Sequence, residues 1–198
     1  EDIDHPTACL DDMIHYWPIN EGEGIEIADL VAEDNGTING AVWEDGTLKF
    51  SNTVDAEETV LIPHSESLDM GADSITLAFW VKTTEWEELV WNNVISKTKT
   101  ADGATRGWKY DLGTNSAWGG RSIFWFMDGT PKEAEGIPDN KSTYNGQYSY
   151  LYDGTYHPEI YTDIYQGLAQ DGDWHLVAGV LDRNEGKIRT YLDGHEAS

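Results

Sequence analysis

Cysteine is almost missing from the 198-residue chain: Cys9 stands alone, so no disulfide can form within it and the fold must hold by core packing or by a metal. Cations are scarce as well. Lys and Arg total 12 against 37 Asp and Glu, a formal net charge of -25 with a pI near 4.2, which argues against nucleic acid or an anionic membrane as partner. No apolar run reaches the roughly 18 residues that a membrane-crossing helix needs. The chain opens with Glu1-Asp2-Ile3-Asp4 instead of a basic and then apolar signal segment, and a start without Met fits a processed secreted protein or an excised domain. Serine nucleophile elbows, phosphate-binding loops and zinc motifs are absent too.

What remains is acidic, aromatic and rich in turn residues. The acidity has two readings: a solvated surface suited to salty or extracellular water, or carboxylates clustered for calcium. A chain of this length is most simply one domain, able to bury roughly 70% of its unfolded surface. Residues 1–12 are polar and aperiodic and read as a leader or linker, which leaves 13–198 as the domain. Asn35-Gly36-Thr37 and Asn140-Lys141-Ser142 match the glycosylation pattern, which is short enough to match often by chance.

Strand signals dominate the rest. Asp171-Gly172-Asp173-Trp174-His175-Leu176-Val177-Ala178-Gly179-Val180-Leu181-Asp182 and Lys187-Ile188-Arg189-Thr190-Tyr191-Leu192-Asp193-Gly194 flank a short polar loop, which predicts an antiparallel hairpin. Both faces of its first run are apolar, so that strand is expected inside a sheet covered on both sides. Met13 to Ile19 reads as the first strand. Val42 to Phe50 and Thr59 to Pro63 follow as short strands, and Val94 to Lys97, Gly107 to Gly113 and Arg121 to Met127 as central ones. Ser74 to Lys82 is the cleanest alternation, with Ile75, Leu77, Phe79 and Val81 on one face and Ser74, Thr76, Ala78, Trp80 and Lys82 on the other.

Trp80 among small and polar neighbours suits a sugar-binding sheet, because an apolar ring stacks on a pyranose face; the plainer reading is a Trp covered by a loop. Trp108, Tyr110 and Leu112 share a face, leaving Lys109 and Asp111 on the other, beside Trp80 if the two strands are neighbours. Trp118 and Trp125 join the candidate sugar contacts, with core or loop packing as their alternative. Between Asp128 and Gln170 the chain carries Tyr144, Tyr148, Tyr150, Tyr152, Tyr156, Tyr161 and Tyr165. Such rings serve either adaptable recognition, with Tyr150 and Tyr152 as the candidates, or anchoring of the segment onto a sheet. Between Asn20 and Asn39, Glu21, Glu23, Glu26, Asp29, Glu33 and Asp34 crowd a Gly-bearing loop. Carboxylates and carbonyls there can supply calcium's oxygen ligands, while Asn and Asp equally favour turns through bonds to their own backbone.

In order along the chain, Tyr16-Trp17-Pro18-Ile19-Asn20-Glu21-Gly22-Glu23-Gly24, Asp34-Asn35-Gly36-Thr37-Ile38-Asn39-Gly40-Ala41-Val42-Trp43, Val60 to Leu68 with Ser74 to Lys82, and the Asp171–Gly194 hairpin resemble the laminin-G-like, concanavalin-A-like jelly-roll domains of secreted carbohydrate-active and adhesive proteins. The resemblance implies an all-β, two-sheet antiparallel jelly-roll sandwich. It implies a structural calcium held by Asp29, Asp34 and Asn35, with Glu21 as a further ligand. It makes His175 a structural feature beside Trp174, not a base. The Tyr-rich stretch at about 128–170 departs from the family's short connection, as does the stop at Ser198, before the strands with which the family usually closes. An edge left unpaired there invites completion by another copy or by a partner's strand.

The Glu-x-Asp-x-x-Glu strand of one hydrolase family on this scaffold does not occur, nor does the Arg, Gln-x-His and Tyr set of its lyases. The expected function is therefore a non-catalytic, extracellular carbohydrate-binding or adhesion module that meets a polysaccharide or glycan. Two other readings stand beside it: a structural subunit of an extracellular assembly, and a lyase or hydrolase with an unfamiliar site.

Overall fold

The computed structural model describes residues 11–51, 57–69, 73–83, 91–101, 104–115, 119–128, 148–150, 172–182, 184–185 and 187–196. Among these the protein is all-β apart from one short 3-10 segment, Glu66–Leu68. The chain divides into two compact units, Glu1–Asp69 and Met70–Ser198.

The first unit holds β1 (Glu26–Ile27), β2 (Gly36–Asn39), β3 (Val42–Glu44), β4 (Thr47–Lys49) and β5 (Thr59–Leu61). β1, β2 and β5 form an antiparallel sheet in that order, and β3 and β4 form a hairpin. Along β2 the burial alternates, Gly36 and Ile38 in, Thr37 and Asn39 out, and Ile27 is buried on the same inner face. Gly36 is fixed by space: a Cβ there would lie 2.8 Å from both Ile27 Cγ1 and Val60 Cγ1. Gly36→Ala is expected to destabilise the protein by about 1–3 kcal/mol through overpacking, measured by chemical unfolding.

Two expectations are corrected here. Val42 to Phe50 is not one strand, because Asp45 and Gly46 adopt φ of 52° and 74° and turn the chain back on itself as a type I′ pair. Met13 to Ile19 is not a strand at all. Its ladder is replaced by a side chain: the Tyr16 N–H donates to Asp29 Oδ1 at 2.9 Å, while the Tyr16 carbonyl accepts the Leu30 N–H at 2.9 Å. Pro18 has no N–H to continue pairing, and Ile19 sits at φ 51°, outside the extended region.

The second unit holds β6 (Ile75–Lys82), β7 (Trp91–Ala101), β8 (Ala104–Asn115), β9 (Gly119–Asp128), β10 (Tyr148–Tyr150), β11 (Trp174–Asp182), β12 (Lys187–Leu192) and β13 (His195–Glu196). They form two four-stranded antiparallel sheets, ordered β10-β9-β8-β7 and β13-β12-β11-β6. The sheets share one core: Trp108 and Tyr110 of β8 and Val177 and Leu181 of β11 are buried, with Ile75, Leu77, Phe79, Val81, Ile95 and Leu192 packed against them. The rings of Phe79 and Tyr110 meet edge to face across this core, 5.1 Å between centroids.

β6 alternates as its sequence pattern requires, with the Ile75, Leu77, Phe79, Val81 set inward. The β11–β12 hairpin is present, Val177 opposite Leu192 and Leu181 opposite Ile188. β11 is nevertheless buried on one face only: Val177 and Leu181 face the core, whereas Leu176, Ala178 and Val180 on the other are half-buried and Trp174 is exposed.

Candidate functional site

Asp29 organises the acidic loop of the first unit. It is 5% exposed, and its carboxylate gathers donors from around the loop, among them the Tyr16 and Val31 N–H groups to Oδ1 at 2.9 and 3.1 Å and His15 Nδ1 and the Asp34 N–H to Oδ2 at 2.7 and 3.4 Å. An ionised carboxylate can only accept, so His15 carries the proton on Nδ1. Burial pushes the Asp29 pKa up, but the bonds from Tyr16, His15, Val31 and Ala32 together outweigh it and hold the carboxyl below 3.8.

Asp34 is the second carboxylate. Its Oδ2 accepts Ser65 Oγ at 2.6 Å and Ser67 Oγ at 3.1 Å and lies 3.7 Å from His15 Nδ1. Its backbone carbonyl accepts the Trp17 indole N–H at 2.9 Å, and the His15 and Trp17 rings stack 5.0 Å apart at 8°. Ser65 precedes the 3-10 segment without capping it, its hydroxyl being committed to Asp34.

Ligand atoms of His15, Asp29 and Asp34 thus lie within 4.8 Å of one another, a group of the size that can hold a metal ion. Asn35 and Glu21 turn to other work. Asn35 Oδ1 accepts the Asp29 N–H at 3.0 Å, and its Nδ2, the atom a glycan would occupy, donates to Glu26 Oε1 at 3.1 Å. Glu21 Oε1 accepts the Ala28 N–H at 2.8 Å. Against calcium's preference for six to eight oxygens the set fits poorly, since one converging atom is a nitrogen and the Asp29 oxygens already meet the chain's own donors. His15 was invisible to sequence reasoning, because no spacing links it to acids fourteen and nineteen residues on. The one available signal was its place directly before Tyr16-Trp17.

The second place of interest is the outer face of the β6–β11 pair. Trp80 lies opposite Leu176 and Trp174 opposite Lys82, so the two indoles are diagonal neighbours on one face, about 7 Å apart at their bases. Trp80 is 62% and Trp174 45% exposed. Ala78 opposite Ala178 and Thr76 opposite Val180 continue this face as a floor of small side chains. An exposed aromatic pair beside small side chains is a stacking surface for an apolar ring face.

β8 belongs to the other sheet and is not a neighbour of β6, so Lys109 does not share Trp80's face. Asp111 lies in β8 opposite Ile123, Trp125 in β9 opposite Lys109, and Tyr150 in β10 opposite Ile123. Trp118, Tyr152 and most of the stretch from 128 to 170 lie outside the described residues, as do residues 1–10 and Asn140.

His175 has a structural occupation. Its Nδ1 donates to Asp193 Oδ2 at 2.8 Å, and Asp193 Oδ1 accepts the Leu176 N–H at 2.9 Å. Asp193 at φ 48° and Gly194 at φ 81° form the turn from β12 to β13, so the His links β11 to that turn. This bond, ahead of an opposing effect of burial, holds the Asp193 carboxyl below its ordinary value. Among the described residues no helix is long and apolar enough to cross a membrane. Comparison with known proteins finds no matching family model, no similar curated protein and no similar solved structure.

Proposed function

We propose that the protein is a non-catalytic, extracellular carbohydrate-binding or adhesion module on a jelly-roll sandwich, and that it meets its glycan on the outer face of β6 and β11. The observation that carries this reading is the exposed pair Trp80 and Trp174, held diagonally by strand register beside the small residues of Ala78 and Ala178. Leaving two indoles in water costs hydrophobic free energy that burial in the core would recover, so their exposure favours a partner that covers them. Pyranose rings suit them, because a sugar's axial C–H face stacks on an indole while its hydroxyls stay hydrated. The opposing acidic character of the whole chain, -25 in formal charge, favours neutral over anionic glycans.

The test is a glycan array followed by calorimetric titration of the best binder. Trp80→Ala and Trp174→Ala are each expected to weaken binding about tenfold, roughly 1.4 kcal/mol. The thermal midpoint should hardly move, because both side chains are surface residues. Failure to bind any array glycan, or binding that both variants retain unchanged, contradicts the reading.

A further inference from the structure

We infer that the acidic loop of the first unit is closed by donors of its own chain and takes up no calcium, the imidazole of His15 standing between the two carboxylates where a bridging cation would stand. His15 Nδ1 is 2.7 Å from Asp29 Oδ2 and 3.7 Å from Asp34 Oδ2, and its side chain is 8% exposed. Other donors of the chain reach the same two carboxylates. Tyr16, Val31 and Asp34 give their backbone N–H groups to Asp29, and Ser65 and Ser67 give their hydroxyls to Asp34.

Calcium binds six to eight oxygens at about 2.3–2.6 Å. To gather that many here, it would have to strip Asp29 of the backbone donors that shape the loop and expel an aromatic ring stacked on Trp17. Asn35 and Glu21 add too little to compensate, since Asn35 Oδ1 accepts the Asp29 N–H and Glu21 Oε1 accepts the Ala28 N–H, which leaves Glu21 Oε2, buried and without a hydrogen-bond partner among the described residues, as one oxygen against the six to eight required. Hydrogen-bond donors thus supply the positive partial charge that a calcium-braced loop obtains from the ion. Such a loop is fully formed whatever the calcium level around it.

The experiment is differential scanning calorimetry of the full chain in EDTA, in 5 mM calcium chloride, and in sodium chloride of matched ionic strength. A site with an affinity typical of extracellular modules, about 0.1–1 mM, would raise the midpoint by several degrees in calcium alone. Midpoints in calcium and in matched sodium chloride within about 1 °C are expected. His15→Ala should lower the midpoint of the first unit by several degrees, equally in EDTA and in calcium. A calcium-specific rise in the wild-type chain that Asp34→Asn abolishes overturns the inference. A rise that Asp34→Asn leaves intact belongs to other carboxylates of this acidic chain and upholds it.

Discussion

Tyr110→Ala lowers the stability of the second unit by about 4 kcal/mol, the expected cost of emptying a large aromatic site at the centre of a core. Tyr110 is wholly buried, and its ring meets Phe79 edge to face from the facing sheet beside Trp108, Val177 and Leu181. Truncation removes a side chain that joins β8 to β6, and two β-sheets cannot collapse into the void as a single side chain can. Tyr110→Phe keeps the ring and should lose less than half as much. Urea unfolding followed by near-ultraviolet circular dichroism reads both variants. A loss under about 1.5 kcal/mol for Tyr110→Ala would mean that the sheets do not share the core described above.

Asp29→Ala should cost about 3 kcal/mol in the first unit, because several donors lose one acceptor together. Backbone groups of Tyr16, Val31 and Asp34 cannot all turn to water without opening the loop. Asp29→Asn is a sharper probe, since its amide presents hydrogens where donors already point. The same carboxylate predicts a pH response. Its folded pKa lies below the unfolded value near 3.8, so its contribution is fully present above pH 3.8 and is lost as pH falls through the folded value. The acid midpoint of the first unit should therefore be steeper in wild type than in Asp29→Asn, as read by tryptophan fluorescence. Equal acid profiles would remove Asp29 from the centre of the loop.

The parts of this structure that the sequence made legible are those in which the pleat alone decides. Ile75 to Lys82 shows its two faces because each step along a strand reverses the side chain, and the core takes one set. The Trp174–Leu192 hairpin was legible through its apolar runs and polar loop. Periodicity does not say which sheet a strand joins, however: Lys109 comes beside Trp80 only if β8 neighbours β6, and β8 lies in the other sheet. Nor does it say how deeply an apolar face is covered, as the half-exposed side of β11 shows. In the acidic loop the carboxylates were visible but their partners were not. Whether Asp29 meets an ion or a row of N–H groups depends on tertiary contacts with His15 and Tyr16, and Met13 to Ile19 looked like a strand because a side chain does there what a neighbouring strand would do.

The most direct test follows the nine indole N–H resonances of the chain by nuclear magnetic resonance while the best-binding glycan from the array is titrated in. The account predicts that the signals of Trp80 and Trp174 shift together and saturate at one affinity, while that of buried Trp108 stays in place. Saturable shifts confined to other indoles, with Trp80 and Trp174 unmoved, would contradict it.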